Sequence, residues 1–252
     1  MLLVTSAAEA DSRAKTIDVL GESYVLRGYM GHAPKRGTYV EGNEANDNPL
    51  PQGFLVDQPA GAITHPHFHE SDQFQVFVAG DGYFGKKPAR PLTVQYANGH
   101  TPYGPIVAGE HGIRYFTLRK RWDPGAKYMP KMRDKLVRGR QRQFLAPEVP
   151  LSDQDTLKAR RDSSLDVFIG PEDDGLLGAI LRLGPNQSAR APDAGAGDGQ
   201  YMLVVNGSLR HADQLLPVLS CEYAYADEGS PLVQAGPDGL ELLILRFGPD
   251  RY

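Results

Sequence analysis

Shifted by 127 residues, the sequence falls on itself twice in one register. Gln73-Phe-Gln-Val-Phe-Val-Ala-Gly80 lies on Gln200-Tyr-Met-Leu-Val-Val-Asn-Gly207. At the same offset Ala108-Gly109-Glu-His-Gly112-Ile-Arg-Tyr-Phe-Thr-Leu118-Arg119 lies on Ala235-Gly236-Pro-Asp-Gly239-Leu-Glu-Leu-Leu-Ile-Leu245-Arg246. Alternate residues of a strand share a face, so blocks that keep register also keep the pleat and the bends that bound it. A chain of 252 residues is also the right length for two domains of ordinary size. The duplication therefore predicts two copies of one β unit, spanning roughly 15–125 and 161–252.

The local pattern agrees. Strand-like stretches recur at 53–57, 73–78, 92–96 and 112–119, and Asp81-Gly82, Asn98-Gly99, Asn206-Gly207 and Asp238-Gly239 read as hairpin turns. Gly and Pro number 28 and 20, about a fifth of the chain, which argues against a mostly helical protein. The expected class is all-β with little helix, organised as an N-terminal barrel at 1–125, a connector at 126–160 and a C-terminal barrel at 161–252. Within the connector, Ser152 or Asp153 is placed to cap one short helix. Asp193-Ala-Gly-Ala-Gly-Asp-Gly199 has no side chains to pack and reads as a mobile loop.

Charge and cysteine content bound the function classes. The net charge is −4, and the ten Lys and Arg between Arg119 and Gln143 stand against Asp123 and Asp134 only. That stretch reads as a solvated connector, or else as a docking surface for an anionic partner or a subunit contact. No aromatic-interleaved motif accompanies it, so nucleic acid is not an expected partner. No apolar run reaches a membrane-spanning length, and Cys221 is the sole cysteine. A cytoplasmic protein without disulfides is expected, with Cys221 a small buried hydrophobe. Exposed barrel edges make a homodimer plausible.

Chemistry concentrates in His65-Pro-His67-Phe-His69. On a strand the i, i+2, i+4 spacing sends three imidazoles to one face, as a metal ion with several histidine ligands requires. Phe68 would then anchor the other face. There is no nucleophile elbow, P-loop, dinucleotide fingerprint or Cys-x-x-Cys.

Around these histidines the chain resembles the cupin superfamily. Its first motif, Gly-x5-His-x-His-x3–4-Glu-x6-Gly, is matched by Gly61, His67, His69, Gln73 and Gly80, with Gln in place of Glu. The nearest counterparts of the second motif are Pro102-Tyr-Gly104 and Ala108-Gly109-Glu-His111. Through the repeat, the resemblance is to a bicupin. It implies two jelly-roll barrels with a divalent ion in the first, held by His67, His69, Gln73 and His111, with His65 or His100 as substitutes. Gln73 either ligates the ion through its amide oxygen or hydrogen-bonds a substrate. His65, Gln75 and Tyr103 are candidate substrate contacts, with Phe77 and Tyr115 beside them. Fe(II), Mn(II), Ni(II) and Zn(II) all suit such ligands.

The second copy carries Arg190 and Pro192 where the first has its two histidines, so one site is expected. The resemblance implies a metal-dependent enzyme acting on a small oxygenated organic molecule, by dioxygenase chemistry first and isomerase or lyase chemistry second. The alternative is a cupin that binds a sugar or small effector without turnover.

Overall fold

The computed structural model describes residues 2–42 and 50–249. The chain forms two compact units. One runs from Ser12 to Val149, and the other joins the residues up to Asp11 to the chain from Pro150 onward. Both are antiparallel, and among the described residues the α-helices are the short Ala7–Ser12 and Gln154–Ala159. None of these helices is long and apolar enough to cross a membrane.

These boundaries differ from 1–125, 126–160 and 161–252, for reasons of strand pairing. Leu3–Thr5 pairs antiparallel with Cys221–Ala224, so the N-terminus belongs to the second unit. Ser6 and Glu9 then start the Ala7–Ser12 helix as a reciprocal cap: the Glu9 carboxylate accepts from the Ser6 N–H, and the Ser6 hydroxyl accepts from the Glu9 N–H. The connector is divided too. Lys127–Tyr128 pairs with His67–Phe68 and Gln143–Ala146 with Val94–Ala97, which ties the chain up to Val149 into the first unit. Asp153 caps the Gln154–Ala159 helix by accepting from the Thr156 N–H.

In the first unit the strand order is Gln143–Ala146, Val94–Ala97, Gln73–Phe84, Ile106–Arg119, Gln52–Gln58, Glu22–Met30 and Lys15–Val19. Its inward faces bury Tyr24, Leu26, Phe54, Val56, Phe77 and Tyr115 in one apolar cluster, each worth about 1.5–3 kcal/mol when fully buried. The second unit repeats the central pairing with Gln200–His211 beside Leu232–Arg246, filled by Met202, Val204, Leu242 and Ile244.

Three of the four expected hairpin dipeptides lie inside long strands. Asp81-Gly82, Asn206-Gly207 and Asp238-Gly239 fall within Gln73–Phe84, Gln200–His211 and Leu232–Arg246. The glycines serve a bulge that bends the paired strands. Gly80 and Gly207 have φ of 73° and 69°, and a Cβ on either would collide with the carbonyl oxygen of Gly112 or Gly239. The stretch 193–199 is also not a bare loop. Asp193 accepts from the Gly195 N–H, the Ala194 N–H donates to the Gly229 carbonyl, and Ala194 is buried.

Candidate functional site

The motif histidines enter the first unit on the two-residue strand His67–Phe68. Pro66 interrupts the pairing: Ile63–Thr64 bonds Ile106–Arg119, whereas His67–Phe68 bonds Lys127–Tyr128. The run 65–69 is therefore not one strand, and its three imidazoles do not share a face. His67 and His69 are buried and line a cavity of about 80 Å³, while His65 is exposed. What His65 contributes is its carbonyl, 2.7 Å from His67 Nδ1.

Each buried imidazole is held in one orientation. His67 donates Nδ1–H to the His65 carbonyl, which turns Nε2 into the acceptor. His69 Nδ1 lies 2.6 Å from Asp123 Oδ1, while Asp123 also accepts from the backbone N–H groups of Glu70, Ser71 and Gly125. The rings stand perpendicular with centroids 5.1 Å apart. Tyr103 backs them: its backbone bridges that of His67, and its ring centroid is 4.5 Å from the His67 ring.

Arg119 sits against this pair. Its guanidinium lies 3.0 Å from His69 Nε2 and donates to Gln73 Oε1 at 3.1 Å and Gln52 Oε1 at 2.6 Å. Gln73 in turn donates from Nε2 to the Tyr103 hydroxyl. Every one of these groups is nearly inaccessible to solvent.

Burial sets the protonation states. Desolvation, then the neighbouring His69 and the Arg119 charge, push the His67 imidazole down to about 3, so it is neutral at physiological pH. His69 is lowered by burial and by Arg119, against the pull of Asp123. Burial would raise the Asp123 carboxyl, but His69, the Arg119 guanidinium and its hydrogen bonds outweigh that and hold it well below the usual carboxylate range. Burial raises the Tyr103 phenol, so it keeps its proton. The cluster thus contains one cation, Arg119, and one anion, Asp123, with both imidazoles neutral.

Of the other expected residues, Gln75, Tyr103 and Tyr115 line the cavity. His111 does not approach it. That residue is exposed in the bend of Ile106–Arg119, eight residues from Arg119, and it lines a separate cleft with Asp57 and Arg114. His100 does not line the cavity; it is half-buried, with its ring tilted against Phe68, and it accepts from the Val137 N–H. Sequence reasoning missed Arg119 and Asp123. Arg119 had a signal in the repeat, where Gln73 opposite Arg119 recurs as Gln200 opposite Arg246. Asp123 looked like a stray neutraliser in a basic run. Lys127 looked solvated, yet it is buried, paired with Glu70 at 2.8 Å and placed over the Tyr39 ring.

No protein-family model matches the chain, and no curated protein matches it in sequence. Solved structures do resemble it. A putative dioxygenase from Nostoc punctiforme superposes with a TM-score of 0.61 at 11% identity, covering 100% of this chain and 81% of that one. A W96Y variant of Bacillus subtilis oxalate decarboxylase gives 0.54 at 10%, covering 98% and 77%. Salicylate 1,2-dioxygenase from Pseudaminobacter salicylatoxidans gives 0.50 at 10%, covering 78% and 70%. The chain has the bicupin fold.

The resemblance read in the sequence implies a metal ion, and the donor set fits one only in part. Two features fit: both histidines have fixed tautomers, and a hydrogen bond at Nδ1 is the usual support of an Nε2 ligand. Three do not. Among the described residues no three His, Cys, Asp or Glu side chains group as a metal site. The Gln73 amide is spent on Arg119 and Tyr103. The lone pair of His69 Nε2 already faces the Arg119 guanidinium, and a divalent ion beside that fixed charge would be repelled by about 8 kcal/mol at 4 Å and an effective dielectric of 20. A Gln and an Arg also face one another in register in the second barrel, which lacks both histidines, but there Arg246 donates to the Gly175 and Asp193 carbonyls instead.

Proposed function

We propose that the chain is a small-molecule-binding bicupin whose site is the cavity of the first barrel, occupied by hydrogen bonding without a resident metal. The observation that carries this reading is Arg119 on His69 Nε2: a permanent cation completes the polar cluster. Size supports it, since about 80 Å³ admits on the order of five waters or an organic molecule of a few heavy atoms. The chemistry of His67 supports it further. An imidazole pushed down to about 3 is a good hydrogen-bond acceptor but a poor general base near neutral pH, where a base needs a pKa close to the working pH.

A second reading is favoured by the two locked tautomers. Histidines with Nδ1 engaged and Nε2 turned inward are what a metal-dependent enzyme acting on a small oxygenated substrate would present. One experiment separates the two. The protein is purified without a histidine tag, its Fe, Mn, Ni and Zn are quantified, and Arg119→Met is measured alongside. The binding reading expects less than a tenth of an equivalent of metal in the natural protein. One equivalent, lost in a His67→Ala, His69→Ala variant, would establish the metal enzyme instead.

A further inference from the structure

The inner wall of the first barrel holds polar atoms that the protein itself leaves unsatisfied. Gln75 is 3% exposed and Gln95 fully buried. They face one another in register between Gln73–Phe84 and Val94–Ala97, which sets their Cβ atoms about 5 Å apart. Gln75 Oε1 and both side-chain polar atoms of Gln95 lack any hydrogen-bond partner. A buried polar group left unmade costs about 1–3 kcal/mol, and few native groups carry that cost without a partner such as a bound water or ligand.

The placement of Gln75 points to what completes it, whereas Gln95 stands outside the cavity lining. Gln75 lines the cavity, and Thr117, its cross-strand neighbour on the other side, lines it too. Around them the wall is apolar: Ile17, Leu26, Phe54 and Val56. The charges of the cavity are already answered. Arg119 donates to Gln52 and Gln73 and faces His69, and Asp123 balances it. Arg36, at the rim, is solvent-exposed. His67 adds one more acceptor, because its Nδ1 is the nitrogen bonded to the His65 carbonyl. The unmet needs at the cavity wall are thus acceptors at Gln75 and His67.

We propose that this end of the cavity is a subsite for a small uncharged molecule carrying hydroxyl or amide donors. Gln75 touches the ligand directly, its Oε1 accepting from the ligand's donor. Arg36, the cation at the cavity's rim, is solvent-exposed, so an anion gains less beside Gln75 than a neutral donor does. The inference rests on reading the cavity as a binding site and names the ligand class.

The test uses the full-length untagged protein with lactamide, a neutral hydroxy-amide of six heavy atoms, and lactate, its anionic counterpart of the same size. Binding is followed by calorimetry and by fluorescence of Trp122. Lactamide is expected to bind at least ten-fold tighter than lactate, and Gln75→Met to weaken lactamide at least ten-fold. Gln75→Met and Gln95→Met should each raise the melting temperature of the ligand-free protein, because each removes an unsatisfied amide. Lower melting temperatures in both variants, an unchanged lactamide affinity in Gln75→Met, or no lactamide binding would each overturn the subsite. If lactate binds and lactamide does not, the subsite fails while the binding reading stands. Stoichiometric metal in the natural protein defeats the binding reading itself.

Discussion

Asp123 is the position where one substitution asks most of the site. Its buried carboxylate takes hydrogen bonds from the backbone N–H groups of Glu70, Ser71 and Gly125, contacts His69 Nδ1 and balances Arg119. Removing one partner of a buried charge pair costs about 3–5 kcal/mol, because the other charge stays buried without compensation. Asp123→Asn should therefore destabilise the first unit by about 4 kcal/mol. Arg119→Met should cost a similar amount, since it strands acceptors on His69, Gln73 and Gln52. The double variant should fall short of the sum by at least about 1 kcal/mol, as coupled neighbours do. The assay is urea unfolding followed by the fluorescence of Trp122, the only tryptophan of the chain and the residue next to Asp123. With a slope of about 2 kcal/mol per molar urea, each single variant should shift the midpoint by about 2 M. Single effects below about 1 kcal/mol, or strict additivity, would refute a charge-balanced cluster.

Other consequences are open to measurement. His67 is protonated in the unfolded chain below about pH 6.5 but in the folded chain only near 3. Its lowered value therefore means that stability is lost as pH falls through that window, and His67→Gln should flatten the slope by one proton over the same range. Burial pushes the Cys221 thiol well above its ordinary value, so a thiol reagent should fail to label native protein at pH 8 and label it fully in urea. In the second unit, buried Glu241 accepts from Arg182, Ser152 and Asn206. Glu241→Ala should cost about 3–5 kcal/mol there, in an unfolding transition seen by calorimetry while the Trp122 signal of the first unit is unmoved.

Strand identity was legible because it depends on alternation, which is local. Gln73–Phe84 and Ile106–Arg119 were visible in part, as were the burial of Cys221 and the helix capped by Asp153. His65 was misplaced because its parity assumed an unbroken strand, and Pro66 hands the chain to a different partner at that point. His111 was misplaced because a motif was matched by spacing, whereas the bulge at Gly80 and Gly112 puts that turn far from the cavity.

The sequence by itself determined the duplication, the β class and the confinement of paired histidines to one copy, since register and residue type are written along the chain. Only the tertiary structure decided what the histidines meet. Arg119 and Asp123 stand about 50 residues from His69 in sequence, and whether a distant guanidinium or an ion faces an imidazole is settled by side-chain packing inside a closed barrel, which no local pattern encodes.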